Sequence, residues 1–301
     1  MPVYAFDTPE PIHADIRLDA GQLRLIAGEV ARTVVELRPV DRHDPCDAAT
    51  VRLAQVTYED GKLVVSAPRA SGHTGGTGAV SLEIRLPAGS HVQADALAAD
   101  LITESRLGEC RLTTDCGHIQ VHQAGSLRLS QVLGNASVGH VSGTLTAHAE
   151  CGDVTILHAE GTVHLSRTRG STVIGEAGGD VYVYADSGDL AIGRAYSAVE
   201  ARAAQGNILI DEAACGPLEL ETASGRLEIG LAAGVGARLD VDSQVGTVYR
   251  SLDLLAGDAL GAGAAPAAAG PGAVVAVKAH AIVGDIVVRR AGTGTGAGER
   301  S

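Results

Sequence analysis

The sequence predicts an all-β protein folded as a parallel β-solenoid, in which a coil of about 18 residues is built from two nine-residue units. Three observations lead to this fold class. Glycine or serine returns every nine residues through much of the chain, apolar and polar residues alternate after it, and every second unit carries similar residue types at equivalent positions. A fixed short period is typical of solenoids, in which each unit buries its apolar side chains only against its neighbours.

The nine-residue spacing is clearest at Gly179, Gly188, Ser197 and Gly206. Glycine supplies the backbone freedom that a sharp corner after each strand requires. The same spacing, with one shortfall and one ten-residue step, covers a larger set of glycines: Gly108, Gly117, Gly125, Gly134, Gly143, Gly152, Gly161, Gly170, Gly216, Gly225 and Gly234. The repeat is therefore predicted to extend over roughly the middle half of the chain.

Between the corners, each unit contains a short alternating segment. The second and fourth residues after the glycine are usually apolar, as Val154 and Ile156 are on either side of Thr155. Such alternation is typical of a strand with one buried and one exposed face. Each nine-residue unit is therefore predicted to be one strand followed by one corner.

The residue types at equivalent positions decide how many strands form one coil. In every second unit, the fourth residue after the glycine is β-branched: Val121, Val138, Ile156, Ile174, Ile192, Ile210 and Ile229. The alternate units carry a different set at this position: Leu129, Ala147, Leu165, Val183, Ala201 and Leu220. Two distinct columns predict two strands per coil and a dry, aliphatic interior.

These patterns divide the chain into five parts of one continuous domain. An N-terminal β cap or a set of irregular first coils is predicted for residues 1–95, followed by regular solenoid coils over residues 96–255. A flexible Ala/Gly/Pro-rich loop at 256–273, the last strands at 274–291 and a disordered tail at 292–301 complete the chain.

The N-terminal part is expected to act as a cap, because an open solenoid end exposes unpaired strand edges that invite aggregation. Its segments are strand-like but lack the regular spacing of the repeats. The sequence YEDGKLVV predicts a β-hairpin in this part, with Asp60 and Gly61 in the turn between two β-rich segments.

Composition and charge limit the classes of function. A net charge of −13 makes binding to nucleic-acid phosphates or anionic lipid headgroups unexpected and leaves a basic protein partner as the exception. The chain has neither the apolar run of a membrane span nor the N-terminal pattern of a signal peptide, so a cytoplasmic protein is expected. No close cysteine pair suggests zinc, so free thiols are expected at Cys46, Cys110, Cys116, Cys151 and Cys215.

Several stretches resemble a bacterial family of unknown function described as "putative adhesins" with β-strand repeats, especially its cytoplasmic-type members. The matching stretches are FDTPEPI at Phe6–Ile12, LGEC at Leu107–Cys110, GDIVVRR at Gly284–Arg290 and the glycine-paced repeats between them. The resemblance covers nearly the whole chain. It implies a right-handed β-helix-like fold and carries over no catalytic residue.

One polar column raises the question of a metal site: Gln123, His140, His158, Glu176, Arg194 and Glu212. Stacking on successive coils places the outer members of His140, His158 and Glu176 about 10 Å apart in a straight line. The ligands of one ion must instead converge on a point. The preferred interpretation is a charge ladder along Glu176, Arg194 and Glu212, and no metal or other cofactor is predicted.

The residues that follow the corner glycines suggest a calcium-binding β-roll: Asn135, Asp153, Ser171, Asp189 and Asn207. A β-roll needs tandem glycine and aspartate ligands in every turn, whereas most units here supply one polar residue. These side chains are therefore interpreted as caps for backbone groups at the corners.

A glycan-processing enzyme would require two suitably spaced carboxylates and aromatic platforms for sugar rings. The aromatic candidates are Tyr182, Tyr184 and Tyr196, of which Tyr182 and Tyr184 are expected to share the outer face of one strand. We interpret these tyrosines as a partner-binding surface rather than as a catalytic groove, and no catalytic residue is predicted.

The sequence therefore predicts a noncatalytic β-solenoid that serves as a scaffold or protein-interaction module for an unidentified partner. The first alternative is a β-helix enzyme that acts on glycans. The second is a polymer-forming cytoskeletal solenoid, which would require uncapped apolar ends for end-to-end assembly.

Overall fold

The structure is a computed structural model that describes residues 2–70, 78–252 and 274–292. These ranges hold 23 strands and one helix, and the chain divides into two compact units, Met1–Gly170 (unit 1) and Ser171–Ser301 (unit 2). Each unit contains stacked parallel strands with two strands per coil. The predicted fold class, an all-β parallel solenoid with coils of about 18 residues, is confirmed.

Unit 1 begins with irregular coils and continues as a regular solenoid. In chain order its elements are β1 (Val3–Asp7), β2 (His13–Gly28), β3 (Arg32–Pro39), α1 (Pro45–Leu53), β4 (Gln55–Glu59), β5 (Lys62–Ala67), β6 (Val80–Pro87), β7 (His91–Cys116), β8 (Ile119–Leu133), β9 (Ala136–Val141), β10 (Leu145–Cys151), β11 (Val154–Ala159) and β12 (Val163–Arg169).

The first coils of unit 1 mix parallel and antiparallel pairing. Strand β3 pairs antiparallel with both β1 and β6, whereas the long strand β2 pairs in parallel with β5, β6 and β7. Strands β4 and β5 form the predicted antiparallel hairpin. Its turn residues Asp60 and Gly61 both have positive φ angles, 48° and 76°, as the predicted Asp-Gly turn requires.

Helix α1 is an element that the sequence patterns did not reveal. Asp44 caps its first amides, Pro45 stands at its start and the acidic Asp47 lies in its first turn. The Asp47 carboxylate is buried and accepts hydrogen bonds from the amides of Asp41 and Ala79, both at 2.7 Å. The helix has nine residues, which is too short for apolar periodicity to identify it. Its capping residues are the sequence feature that indicates a helix here.

The regular coils of unit 1 carry the predicted columns. Val138 on β9 pairs with Val121 on β8 and with Ile156 on β11. On the other strands of the same coils, Ala147 on β10 pairs with Leu129 and Leu165. These side chains are almost completely buried, so the aliphatic interior predicted for the solenoid is present in unit 1.

Gly152 illustrates why glycine occupies these corners. Its φ angle of +137° lies in a region that residues with a Cβ atom rarely adopt. A Cβ atom at this position would also collide with the carbonyl oxygen of Gly134, one coil earlier. The corner therefore excludes larger residues both by its backbone conformation and by its contact with the neighbouring coil.

Unit 2 consists of strands alone in its described part. In chain order they are β13 (Thr172–Ala177), β14 (Val181–Ser187), β15 (Leu190–Ala195), β16 (Val199–Gln205), β17 (Ile208–Ala213), β18 (Leu218–Ser224), β19 (Leu227–Leu231), β20 (Gly236–Val245), β21 (Val248–Ser251), β22 (Val274–Val283) and β23 (Ile286–Arg290).

The strands of unit 2 form two parallel stacks. The first stack consists, in spatial order, of β13, β15, β17, β19, β23 and β21. The second stack consists of β14, β16, β18, β22 and β20. In the first stack Ile192 pairs with Ile174 and Ile210, and in the second Ala201 pairs with Val183 and Leu220. The predicted 18-residue register is therefore also present in unit 2.

The spatial order of the last strands differs from their order in the chain. Strand β22 lies between β18 and β20, and β23 lies between β19 and β21. The coil formed by β22 and β23 thus lies between the coil of β18 and β19 and the coil of β20 and β21, although β20 and β21 come earlier in the chain. The predicted flexible loop at 256–273 and the predicted tail beyond Gly292 lie outside the described residues.

Candidate functional site

The predicted tyrosine surface lies on the second stack of unit 2. Val181, Val183 and Ala185 of β14 point into the interior, which places Tyr182 and Tyr184 together on the outer face, as expected. Tyr182 is half-buried, whereas Tyr184 is 45% exposed. Strand alternation therefore places both tyrosines on the outer face, where Tyr184 is the more exposed of the two.

Tyr184 is held in place by charged residues on the next strand. Its hydroxyl group donates a hydrogen bond to Oε1 of Glu200 at 2.9 Å, and this bond raises the pKa of Tyr184 above its ordinary value. Arg202 pairs with Tyr184 across the strands, and its guanidinium carbon lies 6.0 Å from the centre of the tyrosine ring. The exposed ring is thus fixed by a hydrogen bond and by a cation–π contact.

Arg202 connects three strands of this face. Its guanidinium group forms ion pairs of 3.3 Å with Glu200 on its own strand and with Glu221 on β18. Further along the same row, Glu221 pairs with His280 on β22, and Nδ1 of His280 lies 3.8 Å from a carboxylate oxygen of Asp242 on β20. The row therefore alternates basic and acidic groups across the second stack.

A groove runs beside this row. Tyr184, Arg202, Glu221 and His280 line one side. Ala204, Ala223 and the half-exposed Ile282 form an apolar stretch of the other side, and Asp186 and Gln244 also line the groove. The cavity volume is about 540 Å³. The groove exists because two alanines stand where the neighbouring outward positions carry long side chains. Its shape and lining suit an apolar side chain flanked by charged groups.

Tyr196 lies elsewhere in unit 2. It follows β15, a strand of the first stack, at the corner that leads to β16. Its side chain is 45% exposed and interacts with Arg194, whose pKa it raises. The contacts of Tyr196 therefore belong to the first stack, whereas those of Tyr184 belong to the second.

The polar column has two different characters in the two units. In unit 2, Arg194 forms ion pairs with Glu176 at 3.1 Å and with Glu212 at 3.3 Å, which confirms the predicted charge ladder. In unit 1, the rings of His140 and His158 are stacked, with centroids 5.1 Å apart and an angle of 28° between their planes.

A third residue, which the column pattern does not include, joins this histidine pair. Glu160 stands at the corner after β11, outside the column, and its Oε1 atom lies 3.1 Å from Nε2 of His140. Histidine, cysteine, aspartate and glutamate side chains can bind metal ions. In the described part of the chain, one group of three such side chains has its potential ligand atoms all within 4.8 Å of one another: His140, His158 and Glu160. The signal in the sequence was a carboxylate two residues after His158.

Three of the five corner residues predicted as backbone caps, Asn135, Asp189 and Asn207, have this role. The side chains of Asn135 and Asp189 accept hydrogen bonds from the amides of Asp153 and Asn207, at 3.0 and 2.8 Å. Asn207 in turn accepts one from the amide of Arg226 at 2.8 Å. Each side chain caps the equivalent corner of the next coil rather than its own. Their oxygen atoms thus stabilise the stacking of successive corners.

All five cysteines lie within the described residues and are unpaired, as expected. Cys110 is completely buried, and burial raises the pKa of its thiol to about 12. Cys116 and Cys215 are exposed. No helix of the described residues is long and apolar enough to cross a membrane.

Comparison with known proteins finds similar solved structures at low sequence identity. No protein-family model matches the sequence, and no curated protein does. Similar solved structures include a "putative adhesin" from Parabacteroides merdae, with 14% identity, a TM-score of 0.42 and coverage of 75% of this chain and 94% of that chain. A "putative adhesin" from Parabacteroides distasonis has 12% identity, a TM-score of 0.39 and coverage of 95% and 96%. A "putative lipid binding protein" from the same species has 9% identity, a TM-score of 0.31 and coverage of 94% and 96%.

Proposed function

We propose that the protein is a noncatalytic interaction module that binds a protein partner through the outer face of β14, β16, β18 and β22. The observation that carries this proposal is Tyr184, a half-exposed ring held by Glu200 and Arg202 beside an open groove. Tyrosine and arginine are among the commonest energetic anchors of protein interfaces. The resemblance of the sequence to adhesin-like proteins agrees with this class of function.

The charges of this face indicate the chemistry of the partner. Glu219 and Glu221 on β18 and Asp240 on the neighbouring strand β20 surround a second small depression, against Lys278 and His280 on β22. The whole chain carries a net charge of −13. A partner with basic side chains around one apolar anchor would complement both the acidic surroundings and the apolar lining of the groove.

The fixed position of Tyr184 favours binding because part of the ordering cost is met before the partner arrives. An interface side chain that loses its rotamer freedom on binding costs about 0.5–1.5 kcal/mol. The bond to Glu200 and the contact with Arg202 already restrict the ring in the free protein. The groove is thus a preorganised surface.

The proposal is tested by exchanging the two tyrosines for a residue that also favours strands. The double variant Tyr182→Thr/Tyr184→Thr is compared with the wild-type protein in affinity capture from the native cell, followed by mass spectrometry. The matched control is Tyr249→Thr, because Tyr249 is also exposed but lies on β21, in the other stack.

A genuine partner is retained by the wild-type protein and by the Tyr249→Thr control but lost by the double variant. Direct binding of that purified partner should also weaken as salt increases, since the surface attracts it partly by charge. If the double variant folds normally and keeps every partner, this face is not the binding site. A partner that binds equally at low and high salt would contradict the proposed basic chemistry.

A different observation favours self-assembly as a second candidate function. In the described residues, β20 pairs with β22 on one side and has no strand on its other side. Strand β21 likewise pairs with β23 on one side only. Leu239 and Val241 of β20 point inward but are only half-buried, whereas their partners Val277 and Ala279 on β22 are almost completely buried. Within the described residues, the coil of β20 and β21 therefore has an unpaired strand edge and a partly exposed apolar interior.

A second copy of the chain is the occupant that suits this edge. If two β20 edges pair antiparallel about Leu239, Arg238 of each copy faces Asp240 of the other. The same pairing brings the inward apolar residues of the two coils into contact. Such a pairing uses the same surface on both copies, so it closes at a dimer instead of continuing as a polymer.

Sedimentation velocity over a wide concentration range tests this candidate. We expect a monomer–dimer equilibrium that Arg238→Asp weakens and that the charge-swapped variant Arg238→Asp/Asp240→Arg restores, because the swap keeps unlike charges opposite each other. A wild-type protein that stays monomeric at every concentration would overturn self-assembly. Variants that all dimerise equally would move the interface away from β20.

A further inference from the structure

The histidine cluster of unit 1 brings three potential metal ligands together from two coils. His140 lies on β9 and His158 on β11, at paired positions of adjacent parallel strands. Glu160 follows β11 at the corner. Both histidines are half-buried and Glu160 is exposed, so the cluster is open to solvent on the outer surface of the solenoid.

Glu160 gives the cluster a geometry that three residues of one column cannot have. Residues of one column stand in a line with a spacing of about 4.8 Å, so three of them cannot surround one ion. Glu160 does not belong to the column, and its carboxylate turns back towards Nε2 of His140. The three side chains therefore form a triangle, with every pair of potential ligand atoms within 4.8 Å.

Only small side-chain movements would be needed to bind an ion. Zinc ligands at bond lengths of 2.0–2.2 Å in a tetrahedral arrangement lie roughly 3.3 Å from one another. Oε1 of Glu160 and Nε2 of His140 are already 3.1 Å apart. The remaining distances shorten by rotation of surface side chains, while the strand backbone that carries both histidines stays in place.

A neighbouring residue is placed to orient the first histidine. Gln123 on β8 pairs with His140, and its side-chain amide lies 3.1 Å from Nδ1 of the ring. A histidine that binds a metal through Nε2 carries its proton on Nδ1 and usually donates it to a nearby acceptor. The amide oxygen of Gln123 becomes that acceptor when the amide group turns over, which requires no change of the backbone.

The ligand types select the class of ion. Two imidazoles and one carboxylate suit zinc and related first-row transition metals, and three protein ligands leave a coordination position for water or for a ligand from another molecule. Calcium needs six to eight oxygen ligands, and magnesium needs a mainly oxygen-based octahedron. The cluster offers one carboxylate only, so neither of these ions is matched.

We propose that His140, His158 and Glu160 form a surface site for a divalent transition metal, with zinc as the best fit, and that Gln123 is a positioning residue for His140. In the bound state the ion lies between Nε2 of His140 and Glu160, and the ring of His140 carries its proton on Nδ1. The site joins two coils from outside on strands that are already paired, so metal binding stabilises the native state and is not required for folding.

The experiment measures binding of zinc ions to the tag-free protein by isothermal titration calorimetry. We expect one zinc per chain, a loss of at least tenfold in affinity in His158→Gln and Glu160→Gln, and a weakening of about 10- to 100-fold in Gln123→Ala. The melting temperature should rise with zinc and not with calcium or magnesium.

A second stacked histidine pair in unit 1 provides the matched control. The rings of His13 and His91 have centroids 4.9 Å apart and an angle of 17° between their planes, but this pair belongs to no metal-compatible group of three in the described residues. His91→Gln should therefore leave zinc binding unchanged. The proposal is overturned if the wild-type protein binds no stoichiometric zinc, or if His91→Gln lowers the affinity as much as His158→Gln does.

Discussion

Ile174 and Ile192 occupy paired positions on neighbouring parallel strands of unit 2, and both side chains are completely buried. Replacing Ile192 with Asp places an unpaired charge in this dry column, and we expect a loss of stability of about 4 kcal/mol or more, or failure to fold. Thermal and urea denaturation followed by circular dichroism measure the effect.

Val173 supplies the control for this prediction, because it precedes Ile174 on the same strand but points outward and is 45% exposed. Val173→Asp should change stability only slightly. A soluble Ile192→Asp protein that melts like the wild type would contradict the assigned register.

The corner at Gly152 predicts a second sensitive position. Gly152→Ala should destabilise unit 1 by several kcal/mol, on the order of the larger effects known for single substitutions, because the corner combines a positive φ angle with a contact to the Gly134 carbonyl. Gly28→Ala is the control, since a Cβ atom at Gly28 would meet no other atom within 4 Å. Equal melting temperatures for the two variants would show that the corner can relax.

The hydrogen bonds from corner side chains to the next coil predict a smaller loss of stability than the corner glycine does. Asn207→Ala removes the oxygen that accepts a hydrogen bond from the amide of Arg226 and should cost about 1 kcal/mol. Asn207→Asp keeps an acceptor oxygen in place and should retain most of the stability. Urea denaturation distinguishes the two, and an aspartate variant as unstable as the alanine variant would argue against capping by the side-chain oxygen.

The buried thiol predicts a clear order of chemical reactivity. Because burial raises the pKa of Cys110 to about 12, little reactive thiolate forms there at neutral or mildly alkaline pH. A thiol reagent should therefore label the exposed Cys116 and Cys215 in the native protein and reach Cys110 only after denaturation. Peptide mass spectrometry after timed labelling reads the order directly, and early modification of Cys110 would show that the interior opens locally.

The regular coils were predictable because the repeat specifies both the strands and their neighbours. Because Ile174 and Ile192 are equivalent in successive coils, they pair in a parallel register that keeps both inside, and a slip of one residue would turn one strand's inward side chains outward. The same reasoning placed Tyr182 and Tyr184 on one outer face. It could not place the groove, since its walls include His280 and Ile282 from a strand that the chain reaches much later.

The histidine cluster shows a different limit of reasoning by columns. The repeat aligns His140 with His158, and the structure has them stacked. Glu160 belongs to a corner, where the direction of a side chain follows local turn geometry and not the period of the strands. Its approach to His140 therefore could not be derived from the pattern that located the two histidines.

The insertion of β22 and β23 has a consequence for synthesis on the ribosome. Strands β20 and β21 emerge first, at a time when the edges of β18 and β19 still lack their native neighbours. Strand β20 alternates inward and outward residues as β22 does, so a nascent chain can pair it prematurely with β18. To reach the native order, β20 and β21 must leave these edges, or remain unpaired, until β22 and β23 have been synthesised. We therefore expect refolding to slow when β20 is made a better match for β18, because the premature pairing then competes more strongly with the native one.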